Sequence, residues 1–408
     1  MIRVAIVGTG ARADTFFRGI TGEYADRLVL AALVDPNQSR MALYNARLTQ
    51  RVPTYAPDQF PALLDMANVD LVIVTSVDRT HDHYIVGALE AGRDVITEKP
   101  MTIDAPRCRR IMDAVRATGR SLRVAFNYRY NVIHERVHAL LGAGEIGQVN
   151  SVHFEWLLDV HHGADYFRRW HRDKANSGGL LVHKATHHFD LVSWWLRTRP
   201  EQVFALGGRV FYGAENGSGH GYARPYRRAH GAPEAAGDPF ALKLADDPWL
   251  KALYLDAEHE DGYHRDVNVF GEGITIDDDM AVLVRYASGA TMTYHLNAYA
   301  PWEGYRISFN GNAGRLELEV VESDPGGESH ARLLIRPLWE PAREVTMAYD
   351  PGGHGGADDR MLAALFGGQD KADFRAADAV DGALSLLTGV AANQSSATGR
   401  PVRLSEIL

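Results

Sequence analysis

The first thirteen residues constrain this chain more than any other stretch. Arg3-Val4-Ala5-Ile6-Val7 is a short β-branched run of the kind that becomes a buried parallel strand. It enters Gly8-Thr9-Gly10-Ala11-Arg12-Ala13, a match to G-x-G-x-x-A, and a helical pattern through Phe16, Phe17 and Ile20 follows. Gly8 permits a tight turn, Gly10 lets backbone approach a pyrophosphate, and Ala13 keeps helix and strand close. Ala11 sits where helix-start amides and the positive dipole end meet phosphate. The six-residue pattern is weak alone and strong in a strand–turn–helix context. Gly8, Gly10 and Ala11 are therefore candidate cofactor-binding positions.

A second strand pattern, Leu28 to Val34, ends in Asp35, 25 residues past Gly10. That is close to the ~20 expected for the acid that binds the adenosine ribose. A carboxylate there accepts from a 2′-hydroxyl and repels a 2′-phosphate, and Pro36-Asn37-Gln38-Ser39 intervenes before Arg40. The expectation is NAD rather than NADP.

Val69–Thr75 reads as another buried strand. Ser76-Val77-Asp78-Arg79-Thr80-His81 then leads into a helix that stops at Gly92. Asp94-Val95-Ile96-Thr97 is the next strand and runs into Glu98-Lys99-Pro100. Strands alternating with helices at this spacing predict a doubly wound parallel sheet, which binds ligands beyond its carboxyl ends. Ser76, Glu98 and Lys99 fall at those ends and are further candidate cofactor-binding residues. His81 and His83 stand two apart on a helix and point in different directions, so no metal site is expected there.

Composition narrows the class. With 408 residues, 46% hydrophobic and 23% charged, the chain is long enough for two domains. A net charge of −9 argues against a nucleic-acid partner. A single cysteine, Cys108, excludes an internal disulfide and suits a reducing compartment. No signal-peptide pattern precedes the strand at Arg3, and no apolar run approaches the ~18 residues of a membrane span. The expectation is a cytoplasmic protein.

A helix over Asp104 to Thr118, a strand from Leu122 to Phe126 and a helix to about Leu141 complete the first third. The expected division is a dinucleotide-binding domain at 1–125 and a substrate-binding and oligomerisation domain at 126–408. Ser151 to Leu158 alternates as a strand. Beyond it His161, His162, Tyr166, Arg168, Arg169, Trp170, His171, Arg172 and Lys174 crowd into fourteen residues. Tyr and Trp among Arg and His suit a pocket for a polar or anionic small molecule. Ser177-Gly178-Gly179 opens an expected helix through Leu191, aligning His183, His187 and Asp190, with Lys184, His188 and Trp195 on a neighbouring stripe. His183-Lys184-Ala185-Thr186-His187 has the spacing of a zinc-protease helix. It carries Lys184 where that motif needs glutamate, so no metal is expected.

A strand is expected from Phe204 to Tyr212, followed by a long segment, about 213–273, rich in Gly, Pro, His and Arg. Its tyrosines and Trp249 suggest an ordered substrate lid. Paired strands then run from Ala281 to Val320, and a helix from Asp378 to Ser396 could return to the first domain.

The Gly8 turn, the run from Ala88-Leu89-Glu90-Ala91-Gly92 to Glu98-Lys99-Pro100, and Gly178-Gly179 with His187 and Asp190 together resemble the Gfo/Idh/MocA family. This is the family of glucose–fructose oxidoreductase and inositol dehydrogenase. The resemblance covers nearly the whole chain, including Gly144-Glu145-Ile146-Gly147 and Ala397-Thr398-Gly399-Arg400-Pro401-Val402. It implies a Rossmann domain followed by an α+β domain with a mostly antiparallel open sheet that commonly builds dimers or tetramers. It implies that Lys99 contacts the reacting hydroxyl, that His187 is the acid/base, and that His81 lies near the cofactor. Four residues before the histidine the family usually carries Asp, and here that position is His183. A histidine cannot act there as a permanent anion.

The expected chemistry is NAD-dependent oxidation of a secondary hydroxyl on a sugar or glycoside. Lys99 and His187 flank that hydroxyl, His183 shares the proton transfer, and Tyr128, Arg168, Arg169, Trp170 and His188 hold the rest of the substrate. A rival shares the site: a redox-neutral NAD-dependent glycosidase acting on a glycoside, an anionic one included. A remoter reading is a non-catalytic sugar or cofactor sensor.

Overall fold

The computed structural model describes residues 1–66, 68–327, 329–347, 353–367 and 373–407. In chain order the first strands are β1 (Ile2–Val7), β2 (Leu28–Val34), β3 (Thr54–Tyr55), β4 (Leu71–Val74), β5 (Asp94–Thr97) and β6 (Leu122–Val124). Next come β7 (Val149–Asp159), β8 (Pro200–Gly208), β9 (Asp279–Tyr286), β10 (Thr291–Ala300), β11 (Glu303–Gly311), β12 (Gly314–Ser323), β13 (His330–Pro337) and β14 (Arg343–Val345). The last two are β15 (Ala377–Asp378) and β16 (Val402–Arg403).

The first sheet has the order β15-β6-β5-β4-β1-β2-β3, with β1 to β6 all parallel. Val4 to Val7 are at most 1% exposed, because helices cover both faces and a β-branched run can bury both. β1 lies between β2 and β4, so strand order reverses there and leaves a crevice beyond the carboxyl ends. The second sheet has the order β14-β13-β12-β11-β7-β10-β9-β8-β16 and is antiparallel except for the β7–β10 pair. Its strands alternate: in β9, Met280, Val282, Val284 and Tyr286 are buried and Ala281, Leu283 and Arg285 are exposed. The helix Ala185–Leu196 covers the inner face, setting Phe189 against Tyr294 of β10 and Trp195 against Phe309 of β11. This α/β architecture, a Rossmann sheet plus a mostly antiparallel one, is the expected fold class.

The tail joins both halves. β15 pairs antiparallel with β6, Ala377 opposite Val124, and the following helix Ala379–Thr398 packs against helices of both sheets. β8 departs from expectation, running from Pro200 to Gly208 rather than on to Tyr212. The Asp278 carboxylate captures the amides of Val210, Phe211 and Tyr212 at 2.8, 3.0 and 2.9 Å, which turns the chain out of the sheet. The helix expected from Leu180 is two pieces, Leu180–His183 and Ala185–Leu196, meeting at Lys184.

The segment 213–273 is a string of short helical turns. Leu244, Leu253 and Tyr254 are buried in a cluster with Val4, Phe16, Phe17 and Tyr44 of the first domain. The expected lid is therefore divided: Leu244, Leu253 and Tyr254 lie against the dinucleotide-binding domain, and Tyr222, Phe240, Val269 and Phe270 pack with the core of the second sheet. Among the described residues no helix is long and apolar enough to cross a membrane.

Candidate active site

A cleft of about 820 Å³ runs from the Gly8 turn to the Ala185–Leu196 helix. Its first half is made mostly of backbone. Gly8 has φ +89°, and a Cβ there would stand 2.6 Å from the Ser76 backbone, so the β1–β4 crossing closes only on glycine. The Thr75 hydroxyl donates to the Gly8 carbonyl at 2.6 Å and fastens that crossing. The Tyr44 hydroxyl donates to the Gly10 carbonyl at 2.8 Å, and the Ala11 amide donates to the Tyr254 hydroxyl at 3.1 Å. Asp35 lies at the mouth of β2, accepting from the Thr9 amide at 2.6 Å and the Asn37 amide at 2.8 Å. Burial raises its pKa, and the two amides and Arg40 oppose that. A cradle without room for a Cβ, the start of the helix Ala13–Thr21 and a carboxylate beside it fit a dinucleotide.

Ser76 and His81 shape the middle of the cleft. The Ser76 hydroxyl lies 2.8 Å from that of Thr80. His81 faces the Ser76 carbonyl at 3.0 Å and the Pro100 carbonyl at 2.9 Å, so both ring nitrogens are engaged with backbone. Burial lowers its pKa. Glu98 accepts from Arg12 at 2.6 Å and from the Lys99 amide at 3.1 Å. Arg12 also forks onto Asp358 at 2.9 Å on both oxygens, tying the helix Ala357–Phe366 to the cleft floor.

The second half is built from long ionisable side chains. Lys99 follows β5, and its ammonium lies 3.4 Å from His183 Nε2 and 3.3 Å from the His183 carbonyl. Burial pushes its pKa down to about 8, against the pull of Asp78 and Glu98. His183 Nδ1 stands 2.6 Å from Asp78 Oδ2. Burial and the neighbouring cations Lys99 and Arg169 hold His183 well below its ordinary pKa, so it is neutral at neutral pH. Asp78 therefore accepts the Nδ1 proton, and the Nε2 lone pair faces Lys99. This carboxylate comes from the turn after β4 and not from the helix.

His187 lies on the next helical turn, its ring stacked on Tyr128 with centroids 4.3 Å apart and edge-on to Phe126. The Tyr128 hydroxyl accepts from Lys184 at 2.9 Å. Lys184 is only 3% exposed, and its ammonium lies over the Trp156 ring at 5.0 Å. Burial lowers its pKa. Arg169 lines the cleft and donates to Asp165 at 3.1 Å, and Trp170 stacks on His171 at 3.6 Å.

Two sequence candidates lie outside the cleft lining. Arg168 turns away and donates to the Phe240 carbonyl at 2.8 Å, holding the inserted segment. His188 is fully buried between Trp156 and Tyr294, its Nδ1 2.6 Å from the Tyr294 hydroxyl. Asp190, the third residue of the expected helical face, forms a buried bidentate pair with Arg129 at 2.6 and 2.8 Å. Sequence reasoning missed Asp78 and Lys184 as cleft residues; Tyr254 and Tyr263, among the tyrosines of the expected lid, line the cleft. Asp78 had a usable signal, being acidic at the carboxyl end of a parallel strand. The partner of Tyr254 had none, since the amide it meets lies 243 residues away. Among the described residues no three His, Cys, Asp or Glu side chains converge as a metal cage.

The fold and cleft have relatives. Residues 2–126 match the family model for an oxidoreductase NAD-binding Rossmann fold, and 138–404 match the C-terminal alpha/beta domain of the same family. YteT of Bacillus subtilis is 33% identical over all of this chain and 99% of its own length. An inositol 2-dehydrogenase of Pseudomonas fluorescens is 29% identical over 48% of this chain and 54% of its length. The WlbA dehydrogenase of Bordetella pertussis, solved with NADH and UDP-GlcNAcA, superposes with a TM-score of 0.67 at 18% identity, covering 98% of both chains. An Agrobacterium radiobacter oxidoreductase, solved with NAD+, L-tartaric acid and magnesium, gives the same TM-score at 16% identity over 100% of this chain and 99% of that one. With both domain models matched in order across the chain, this protein belongs to the Gfo/Idh/MocA family and is an NAD-binding oxidoreductase.

Proposed function

We propose that the protein oxidises a secondary hydroxyl of a sugar or glycoside. The observation that carries this is the Asp78–His183–Lys99 chain, opening into the same cleft as the Gly8 turn and beside His187. When bound, the nicotinamide supplies the hydride acceptor. Every other task falls to side chains. Lys99, with a pKa of about 8, is mostly ammonium at neutral pH and donates to the substrate oxygen, stabilising the charge that builds as its proton leaves. His187 takes that proton, a histidine being suited to accept it near neutral pH. Neutral His183 orients Lys99, and Asp78 fixes the His183 tautomer. Trp170 offers the substrate a stacking face and Arg169 a hydrogen-bond donor, while Tyr128 and Lys184 line the cleft and back His187. The sugar reading is supported by inositol 2-dehydrogenase relatives and by a structural neighbour crystallised with a nucleotide sugar. The test is a panel of sugars and glycosides with NAD+, followed by absorbance of the reduced coenzyme. Lys99→Ala turning over within a few-fold of the parent would defeat the reading.

One observation favours the redox-neutral glycosidase as a second reading. Tyr254 and Tyr263 of the inserted segment line the cleft beside the Gly8 turn, an arrangement suited to keeping one coenzyme through oxidation and re-reduction. That enzyme releases aglycone with no net NADH and exchanges a ring proton in deuterated water, whereas a dehydrogenase accumulates NADH.

Two further expectations belong to this proposal. The outer face of the second sheet carries exposed Leu206 and Leu283 as well as His153 2.6 Å from Thr293 and Arg306 2.6 Å from Glu319, and we assign it to a homodimer or homotetramer contact. Sedimentation that returns only monomer removes that assignment. A buried, lone Cys108 and a coenzyme of central metabolism suit the cytoplasm, which fractionation of the source cells tests.

A further inference from the structure

The start of the helix Gln38–Asn45 carries a donor set that would take a phosphate. Next to Asp35, which faces the adenosine ribose in this fold, stand the amides of Gln38 and Ser39, the Ser39 hydroxyl and the Arg40 guanidinium. Helix-start amides with a serine and an arginine are what a 2′-phosphate needs. In this molecule the same four groups are already answered from the inserted segment. Glu260 accepts from the Gln38 amide, from the Ser39 amide at 2.9 Å and from the Ser39 hydroxyl. Asp261 accepts from Arg40 at 2.6 Å, and the Leu253 carbonyl takes Arg40 Nε at 3.0 Å. Asn37 Nδ2 donates to the Ala257 carbonyl at 2.8 Å, which holds the acids in register with the helix start. Asp261 and Arg40 line the cleft together with Asp35.

We propose that Glu260 and Asp261 are specificity-determining residues that reserve this cleft for the dinucleotide without a 2′-phosphate. They do so by standing in for the phosphate within the chain itself. A 2′-phosphate has to displace Glu260 and then sit among three carboxylates, Asp35, Glu260 and Asp261, whereas a 2′-hydroxyl leaves all their bonds intact. Asp35 alone is a weaker barrier, because each of its oxygens already accepts a backbone amide and Ser39 and Arg40 would offset its charge. Of the groups facing Glu260, the Ser39 hydroxyl does most to hold its pKa below the usual carboxylate range, with His259 a smaller contributor. The inference rests on the coenzyme assignment and is independent of which sugar is oxidised.

The test needs no substrate. The full chain, freed of nucleotide, is titrated with NAD+ and with NADP+ by calorimetry, alongside Glu260→Gln and the double variant Glu260→Gln/Asp261→Asn. In the double variant NADP+ affinity should rise about tenfold or more while NAD+ affinity stays within about threefold. Adding Ser39→Ala should take back part of the gain. Unchanged NADP+ affinity in a variant that still binds NAD+ overturns the proposal. So does a parallel fall in both affinities, which makes the two acids scaffolding. If the double variant does not fold, Glu260→Gln carries the test, and a shift towards NADP+ of less than about twofold counts against the proposal.

Discussion

The two ends of the cleft are made from different materials. At the dinucleotide end the contacts come from backbone: a glycine at φ +89°, an amide at Ala11 and amides gripping Asp35. At the substrate end they come from the tips of long side chains on separate segments: Asp78 after β4, Lys99 after β5, Tyr128 after β6, Arg169 after β7, and Lys184 and His187 near the helix junction. The first end depends on how closely two strands approach. The second depends on proton affinities set by burial. Each should therefore fail in its own way.

The sharpest break is at Lys99. Removing the ammonium in Lys99→Ala should lower turnover by about 10³-fold, the scale of losing one preorganised donor to a developing oxyanion. NAD+ affinity should stay within about threefold, since the first half of the cleft is untouched. Gly8→Ala should do the reverse. Its Cβ meets the Ser76 backbone at 2.6 Å in a left-handed conformation, so β1 and β4 must part. NAD+ binding should collapse, and thermal stability should fall by about 1–3 kcal/mol or more from backbone strain alone. If Gly8→Ala binds NAD+ normally, the contrast between the two ends is wrong.

The pH dependence separates them next. Lys99 acts as an ammonium and is lowered to about 8, so turnover should decline above about pH 8 while NAD+ affinity stays level. Stability runs the other way. Between about 8 and the ordinary lysine value near ~10.4 the unfolded chain binds the proton that the folded chain has released, so stability rises with pH across that window. Relative to Lys99→Met, wild type should gain melting temperature from pH 8 to pH 10. Placing a carboxylate on the helix in His183→Asp, with Asp78 kept, adds a second anion beside Lys99 and should move the alkaline limb upward. A limb that stays in place would mean that Lys99 is not the group being titrated.

The same contrast explains what could be read from the sequence. The strand–turn–helix at residues 1–20, Asp35 and the ends of β4 and β5 were legible because a parallel sheet of this order has one crevice, and pattern alone assigns its rim. The sequence pattern also pointed to His183 and His187, but with Asp190 on the same face. The break at Lys184 and the Arg129 pair take Asp190 elsewhere. His188 and Arg168 read as polar and hence as ligand groups. One is buried in an aromatic core and the other anchors a loop, since helical spacing tells which residues share a side and not what covers it. Asp78 and Tyr254 meet their partners across 105 and 243 residues, distances at which periodicity carries no information.

The smallest effect tests whether the inserted segment belongs to the dinucleotide end at all. Tyr254 is 7% exposed, packed beneath Arg40 and Arg265, and its hydroxyl accepts the Ala11 amide, joining the segment to the Gly8 turn. Tyr254→Phe removes a single hydroxyl and keeps the ring, so the cluster with Leu253 and Phe17 should survive and the melting temperature should hold within a degree or two. The hydroxyl ties the inserted segment to the Ala11 amide; losing that one neutral hydrogen bond, about 0.5–1.5 kcal/mol, loosens the segment over the Gly8 turn, so NADH should leave about two- to tenfold faster in stopped-flow displacement by excess NAD+. Turnover limited by chemistry should not change, because no group near Lys99 has moved. If release is limiting, turnover should rise. Unaltered NADH release, with the ring still packed, would detach the segment from the coenzyme and leave it as a wall of the substrate end only.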